Sequence, residues 1–177
     1  MGTFVIEPKS INISELMDSS IKDNQSKIIN KKLLIDKKEE GDISNFQADE
    51  KLLRIIFQNL LSNAVKYTDS EGLIKIYLAS LKAGQNFGER NLKEDCLVFS
   101  IEDSGMGIPA SQQDKIFTKL FRADNAKESE NEGTGLGLYV IKLIIDKAGG
   151  DIWFKSEQGK GTIFYITFPI SGMKIKE

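Results

Sequence analysis

Residues 49–67 read DEKLLRIIFQNLLSNAVKY, a stretch with a strong helical pattern. Apolar side chains recur there at helical spacing, at Leu53, Phe57, Leu60, Leu61 and Ala64. At about 100° per residue, they form one face that must be covered by a hydrophobic core. Asn59 and Asn63 lie one turn apart at the edge of that face, and Lys66 follows on the next turn. The stretch therefore predicts a core helix with two carboxamides and an amine at the boundary with solvent.

These polar residues have chemistry that suits a phosphorylated ligand. Carboxamide oxygens can coordinate a hard cation such as Mg²⁺, and amide hydrogens can donate to phosphate oxygens. Lys66 adds a point charge, and Tyr67 lies within the same third of the helix circumference. Two asparagines on a helix can equally be ordinary surface residues, so this pattern alone leaves both interpretations open.

A second motif, Asp103-Ser104-Gly105-Met106-Gly107-Ile108-Pro109, follows a predicted strand that ends at Glu102. A carboxylate at the end of a strand can accept a hydrogen bond from an exocyclic amine such as that of adenine. Gly105 and Gly107 would let the backbone approach a flat ligand without an obstructing Cβ atom. A simple glycine-rich turn would carry the same residues.

Two further glycine motifs lie closer to the C-terminus. Residues 133–138 read GTGLGL and open a predicted helix at 137–148, where exposed N–H groups and the helix dipole favour phosphate. No Gly-Lys-Ser/Thr follows, so a P-loop is not indicated. Residues 159–162 read GKGT and separate the last two predicted strands, where a hairpin turn needs no ligand.

Composition limits the possible functions. The chain has 177 residues, a net charge of −2 and a pI near 5.4, so one domain spanning 1–177 is expected and no basic field favours nucleic acid or an anionic membrane. No apolar run is long enough to span a bilayer, so direct membrane contact is not expected. The absence of histidine excludes Ser/His/Asp and Cys/His catalysis and a phosphohistidine within this chain. The single cysteine, Cys96, is interpreted as a core residue, and without a second cysteine or a histidine no classical zinc site is expected.

The remaining elements are predicted from periodicity and from turn residues. They are a strand at 4–6, a helix at 15–30 capped by Ser14, strands at 32–35, 73–81 and 96–102, a polar turn region at 36–45, an exposed loop at 82–95, a helix at 111–121, a mobile loop at 124–133 and a hairpin of 151–155 with 162–168. Helices and strands alternate without regular βαβ spacing. The predicted fold class is therefore α/β (α+β), a two-layer sandwich with a mixed sheet covered by helices on one face. Residues 1–3 look like a start added to a fragment.

Taken in order, the four motifs resemble those of the catalytic domain of histidine kinases. That domain belongs to an ATPase superfamily which also holds DNA gyrase, the MutL mismatch-repair ATPases and a heat-shock chaperone. The resemblance runs from about Phe4 to Pro169. The matching segments are 59–68 (N box), 103–108 (first glycine box), 133–138 (second glycine box) and 159–162 (last glycine motif).

The resemblance implies ATP and Mg²⁺ as cofactors, with Asn59 and Asn63 holding the metal. It implies catalytic roles for Asn63, Lys66 and Arg122, and an ATP lid at 124–133. The residues that the resemblance assigns to the nucleotide are Asn59, Asn63, Lys66, Tyr67, Asp103, Gly105, Gly107, Ile108, Arg122, Thr134, Gly135, Leu136, Gly137, Leu138 and Thr162.

Residues 116–122 resemble the F box that precedes the lid in this family. The resemblance implies that a dimerisation and histidine phosphotransfer domain docks on Phe117, Leu120 and Phe121. Leu120 stands where kinases often carry an aromatic residue. Core packing remains the alternative for the two phenylalanines, and a solvated surface charge remains the alternative for Arg122.

The implied activity is transfer of the γ-phosphoryl group of ATP to a histidine on a separate domain, with a response regulator downstream. The resemblance further implies a cytoplasmic domain within a membrane-anchored parent. Three alternatives remain: a gyrase- or chaperone-type module gated by ATP, a serine-phosphorylating relative, and a degenerate scaffold. The first would need an acidic base on the N-box helix, where Gln58, Asn59 and Ser62 stand instead.

Overall fold

The structure is a computed structural model that describes residues 5–129 and 133–174. Its strands are β1 (Lys9–Ile11), β2 (Leu34–Glu40), β3 (Phe46–Ala48), β4 (Leu73–Leu81), β5 (Asn86–Phe87), β6 (Arg90–Asn91), β7 (Cys96–Asp103), β8 (Asp151–Glu157) and β9 (Gly161–Pro169). Its helices are α1 (Ile13–Asp23), α2 (Gln25–Asn30), α3 (Glu50–Tyr67), α4 (Asp124–Ser129) and α5 (Gly137–Lys147), with a 3-10 helix at Ala110–Lys115. The expected added start at residues 1–3 lies outside the described residues. No described helix has the length and apolar character needed to cross a membrane.

The main sheet has five strands in the order β2-β4-β7-β9-β8. The β2–β4 pair is parallel and the other pairs are antiparallel, so the sheet is mixed as predicted. At the end of β7, Asp103 pairs with Ile74 on one side and Thr162 on the other. The hairpin of β8 and β9 confirms the pair of C-terminal strands predicted from the sequence.

Helices α1, α3 and α5 cover one face of this sheet and enclose the main core. The predicted apolar face of α3 is buried, at Leu53, Phe57, Leu60, Leu61 and Ala64. Phe57 meets Phe99 of β7 edge to face, with ring centroids 4.9 Å apart. Asp49 caps α3 by accepting hydrogen bonds from the backbone of Lys51 and Leu52 at 3.0 and 3.2 Å. The two-layer fold expected from the sequence is thus confirmed.

The helix predicted at 15–30 is wrong in its start and in its continuity. Asn12, not Ser14, is the N-cap residue, and its side chain accepts from the backbone of Glu15 at 3.3 Å. The helix breaks at Asn24, which separates α1 from α2. The Asn24 amide donates to the Ser20 carbonyl at 3.0 Å and to the Gln58 side chain of α3 at 3.1 Å. The first bond is local and the second is tertiary, and together they favour the break that periodicity did not reveal.

Two strand predictions near the N-terminus are also wrong. Residues 5 and 6 are not in a strand, and β1 begins beyond Pro8, where it pairs with β3. Strand β2 continues through Glu40, into the region predicted as a polar turn. All seven residues of β2 pair with β4, and this pairing supplies hydrogen-bond partners for a backbone whose side chains are mostly charged.

The segment at 82–95, predicted as an exposed loop, is only partly exposed. It forms the β5–β6 hairpin, which buries Phe87 and Leu92 on the helix-free face of the sheet. Phe87 contacts Trp153 and Tyr165 edge to face, at centroid distances of 5.8 and 5.3 Å. The exposure prediction is therefore wrong at these two apolar positions. Cys96 is buried in the same cluster, as expected of a core residue.

The helix predicted at 111–121 is also wrong, because only the 3-10 helix at Ala110–Lys115 forms there. Beyond it the Leu120 N–H donates to the carbonyl of Gly135 at 3.0 Å, a bond to a distant segment that replaces a helical one. Asp124–Ser129, predicted as part of a mobile loop, forms α4. The later part of that predicted loop, 130–132, lies outside the described residues.

Candidate functional site

A cavity of about 340 Å³ lies between α3, the end of β7 and the segment that leads into α5. Asn63 and Asp103, which are forty positions apart in the sequence, both line it. The predicted site residues that line this cavity are Asn59, Asn63, Lys66, Tyr67, Asp103, Gly107, Ile108, Arg122, Thr134, Gly135, Gly137, Leu138 and Thr162. Gly105 and Leu136 are not among the lining residues.

Asp103 carries the one carboxylate of the lining among the described residues, and it is half-buried. Burial raises its pKa to about 6, against the lowering effect of hydrogen bonds from the backbone of Gly105 and Thr162. The Gly105 N–H donates to Asp103 Oδ1 at 2.9 Å. The carboxylate is thus held in place by the backbone, and it retains acceptor capacity for a ligand.

The wall around Asp103 is apolar because of strand register. Ile101 lies two residues before Asp103 and shares its face of β7. Thr162 and Phe164 are the partners of these two residues on β9. All four line the cavity. A flat apolar surface with a single carboxylate suits a heteroaromatic base that carries an exocyclic amine.

The glycines of the first motif are needed for chain packing near this carboxylate. A Cβ atom on Gly105 would lie 2.2 Å from the Tyr67 carbonyl oxygen, so this glycine brings the loop against the end of α3. Gly107 has φ +63, and a Cβ there would lie 2.0 Å from the carbonyl oxygen of Glu157. The sequence predicted close approach to a ligand, whereas these contacts are with the protein's own backbone.

The asparagines of α3 line another part of the cavity. The Asn59 Nδ2 donates to the Ile55 carbonyl at 2.8 Å, which leaves Oδ1 directed towards the start of α5. A Cβ on Gly137 would lie 2.5 Å from that oxygen. Within the described part of the chain, the Asn63 side chain takes part in no hydrogen bond. Both carboxamide oxygens can therefore serve as ligands.

Two cations converge on the second glycine motif. A Cβ on Gly133 would lie 3.3 Å from both the Lys66 Nζ and the Arg122 Nε. Arg122 also donates to the carbonyl of Ala126 at 2.9 Å, which ties it to α4. An amine and a guanidinium next to two carboxamides form an environment suited to phosphate oxygens.

The donor set fits a magnesium ion that arrives with a nucleotide. No group of three or more His, Cys, Asp or Glu side chains suited to a metal occurs among the described residues. Mg²⁺ does not require one, since it keeps several waters and binds substrate phosphates with one or two protein ligands. The oxygens of Asn59 and Asn63 would serve in that role.

Sequence reasoning did not assign several lining residues to the nucleotide, and two of them are polar: Lys27 of α2, and Asn125 of α4, which lies within the predicted lid at 124–133. The Asn125 Nδ2 donates to the Gly107 carbonyl at 2.9 Å, so α4 is tied to the first glycine motif. Lys27 lies on α2, the short helix that begins beyond the break at Asn24. No local pattern predicts either placement, since both depend on contacts between distant segments.

The three predicted docking residues have different environments. Phe117 packs in the core against Phe154 and Phe164, with centroid distances of 5.9 and 6.5 Å. Phe121 lines the cavity. Leu120 is 65% exposed and has φ +63, so it projects outward from a turn. Core packing, the alternative left open by the sequence, therefore applies to Phe117.

Comparison with known proteins gives a consistent picture. Residues 48–172 match the model of the family described as histidine kinase-, DNA gyrase B- and HSP90-like ATPases. The circadian input-output histidine kinase CikA of Synechococcus elongatus is 31% identical over 95% of this chain and 21% of its own length. The adaptive-response sensory kinase SasA of Synechocystis is 32% identical over 94% of this chain and 40% of its own length. This chain thus spans less than half of either relative.

Among solved structures, the catalytic domain of histidine kinase ThkA has a TM-score of 0.73 at 26% identity, covering 92% of this chain and 95% of that domain. A ThkA complex with the response regulator protein TrrA has a TM-score of 0.70 at 24% identity, covering 93% of this chain and 42% of that one. The first match extends over almost the whole of an isolated catalytic domain.

Proposed function

This chain belongs to the family of histidine kinase-, DNA gyrase B- and HSP90-like ATPases, and from that membership we propose that it is the ATP-binding catalytic domain of a sensor histidine kinase. It transfers the γ-phosphoryl group of ATP to a histidine on another domain. The observation that carries the proposal is the single cavity shared by Asp103 and Asn63, which joins a base-binding group to a phosphate-binding group.

In this proposal the base end of the cavity selects adenine. The Asp103 carboxylate accepts a hydrogen bond from the exocyclic amine, against the apolar surface of Ile101 and Phe164. Guanine presents a carbonyl where adenine has that amine, so it would meet an acceptor with another acceptor.

At the phosphate end, Asn59 and Asn63 hold Mg²⁺ and the phosphates, while Lys66 and Arg122 neutralise phosphate charge. A magnesium ion held by the two asparagines would supply further neutralisation of phosphate charge. The backbone N–H groups at the start of α5, near Gly135 and Gly137, add donors and the positive end of the helix dipole. Support comes from the convergence of Lys66 and Arg122 on Gly133.

The transfer step needs little covalent chemistry from this chain. A nitrogen of the acceptor histidine attacks the γ-phosphorus, the bond to the β–γ bridging oxygen breaks, and ADP leaves with that electron pair. The chain contributes position and charge neutralisation. It has no histidine, so the acceptor lies in another domain, and any base that orients the acceptor lies there too.

The proposed docking partner is a dimerisation and histidine phosphotransfer domain of the same parent protein. The segment with Phe117, Leu120 and Phe121 forms the docking surface, with Leu120 as its exposed contact. A response regulator acts downstream, by analogy with the ThkA–TrrA complex. The proposal sets this single domain in the cytoplasm, within a membrane-anchored parent.

The alternative of an ATP-gated module without phosphotransfer is less well supported. Such relatives need an acidic base on the N-box helix, and Gln58 is the long side chain in the relevant turn. Gln58 is used elsewhere, since it accepts from Asn24 at 3.1 Å and donates to Asp23 at 2.6 Å. No acidic side chain of α3 lines the cavity.

The proposal is tested by mixing the chain with labelled Mg·ATP, alone and together with a separate dimerisation and histidine phosphotransfer domain. We expect ATP binding by calorimetry in both samples, and acid-labile phosphate only on the added domain. Acid-labile phosphate on the isolated chain would contradict the proposal. ATP binding without transfer to cognate acceptor domains would favour the gated-module alternative.

A further inference from the structure

Lys27 reaches the cavity from α2, outside every motif discussed above. The segment 24–31, which contains α2, is tied to α3 and its C-terminal end at two points. At one end Asn24 bonds to Gln58, and at the other the Lys31 amine donates to the carbonyls of Val65, Lys66 and Thr68 at 3.1, 2.7 and 2.9 Å. The two anchors are seven positions apart on both segments, from Asn24 to Lys31 and from Gln58 to Val65. Lys27 lies between these two anchors in the sequence, and it lines the same cavity as Asn63 and Lys66 of α3.

Among residues 5–129 and 133–174, the charge of Lys27 has no partner, unlike that of nearby lysines. Its neighbours have partners: the Lys31 amine bonds to the end of α3, and Lys32 pairs with Glu71 at 3.5 Å. The Lys27 amine forms no ion pair or hydrogen bond with any residue that the structure describes. A long, exposed side chain with an uncommitted charge can move towards an anion at low cost in lost interactions.

We propose that Lys27 is a further phosphate-binding residue of this site, and that it contacts the terminal phosphates of bound ATP from the side of α2. The inference rests on the proposed function, because it assumes that the cavity holds a nucleotide. With Lys66 and Arg122 it completes a set of three cations from three separate segments, all on the cavity lining. Lys27 then favours ligands with more phosphates, since its charge adds nothing to binding of the base or ribose.

The test compares Lys27→Met with the wild type by calorimetry, using Mg·ATP, Mg·ADP and adenosine at low and moderate ionic strength. We expect about fivefold weaker binding of ATP at low salt, the size typical of one exposed ion pair. The loss should be smaller for ADP, absent for adenosine, and reduced as salt screens the charge. Lys27→Arg should retain most of the wild-type affinity. Lys22→Met, on the exposed side of α1 and outside the cavity lining, is the matched control and should behave as wild type.

Three results would overturn the inference, and they are distinguishable. Unchanged ATP affinity in Lys27→Met, with normal binding by the wild type, would remove Lys27 from the site and leave the proposed function intact. An equal loss for adenosine and ATP would mean that Lys27 acts through the position of α2. A wild type that binds none of the three ligands would overturn the proposed function itself, and the inference with it.

Discussion

The two ends of the cavity are built in different ways. At the proposed base end, Asp103 and its apolar neighbours are held by paired strands, and this one half-buried carboxylate is the group proposed to recognise the base. At the proposed phosphate end, Lys27, Lys66 and Arg122 come from helices and turns, and all three line the cavity. The group at the first end is held rigidly by the sheet, whereas the side chains at the second end can change their conformations.

This difference has consequences for mutations. A strand-held group cannot shift when a neighbour changes, so loss of its single hydrogen bond is not compensated. Several flexible cations together neutralise the charge of the phosphates, so loss of one cation is partly offset by the others. Binding should therefore depend steeply on one residue at the base end and weakly on each cation at the phosphate end. A metal ligand at the phosphate end is an exception to this weak dependence, because a neighbouring side chain cannot take its place in the coordination geometry.

The largest expected effect tests that exception. We expect Asn63→Ala to lower the rate of phosphoryl transfer to an added phosphotransfer domain by about 10²–10³, because the charge stabilisation supplied by the metal is lost. Its affinity for adenosine should stay within about twofold of the wild type. Transfer by Asn63→Ala at the wild-type rate would show that this residue is no metal ligand.

The next effect is on the base end. Asp103→Asn should weaken ATP binding by about tenfold to a hundredfold, as expected for a charge-assisted hydrogen bond of ~1.5–3 kcal/mol. Glu102→Gln is the matched control, because Glu102 precedes Asp103 on β7 but pairs with Lys75 outside the cavity. Calorimetry with ATP and adenosine measures both variants. An equal loss in both would refute a specific role for Asp103.

A smaller effect follows from the raised pKa of Asp103, which is about 6. In the proposed function the ionised form accepts from the adenine amine, so ATP affinity should fall by about tenfold as pH drops one unit below that pKa. Titration of the ATP phosphates also contributes, but it affects wild type and Asp103→Asn equally. The ratio of the two affinities should therefore change between pH 7 and 5. A constant ratio would contradict the prediction.

Stability offers an independent control on the same group. The folded-state pKa of Asp103 is raised from 3.8 to about 6, so the folded chain takes up a proton more readily than the unfolded chain. Its contribution to stability is therefore present below about pH 4 and is lost as pH rises through about 6. Relative to Asp103→Asn, the wild type should lose on the order of 3 kcal/mol of unfolding free energy across that interval, measured by chemical denaturation.

The smallest effect is expected at Gly137, where α5 begins. The Cβ of Gly137→Ala would lie 2.5 Å from Asn59 Oδ1, a flexible side chain that can move aside. We expect Mg·ATP affinity to fall about threefold and adenosine affinity to stay unchanged. Helix propensity should raise the unfolding free energy by about 0.5–1 kcal/mol. Calorimetry and thermal unfolding measure the two changes, and a drop in adenosine affinity would argue against the separation of the two ends.

Prediction from the sequence was best where local pattern and tertiary environment agree. Helix α3 ran close to its predicted bounds, because its apolar face, its cap and its length all favour the same structure. Strand β7 and the C-terminal hairpin were equally clear. The segment at 111–121 failed because an amphipathic pattern does not reveal that the Leu120 N–H bonds to the distant Gly135 carbonyl.

The candidate site shows the same division. Thirteen of the fifteen residues assigned to the nucleotide by resemblance line one cavity. They could be identified from the sequence because the motifs occur in a recognisable order. Gly105 and Leu136 do not line it, and the contact of Gly105 with the Tyr67 carbonyl was not visible from the sequence. Lys27 was missed because its position depends on the bend at Asn24, which is stabilised by a bond to a residue 34 positions away.

By itself the sequence determined the family, the mixed sheet covered by helices, and the lack of a histidine acceptor, because these follow from motif order, periodicity and composition. Only the tertiary structure decided the raised pKa of Asp103, the outward position of Leu120 and the approach of Lys27 to the cavity. The reason is physical. Burial, charge proximity and backbone pairing between distant segments are properties of the packed chain, and no local pattern encodes them.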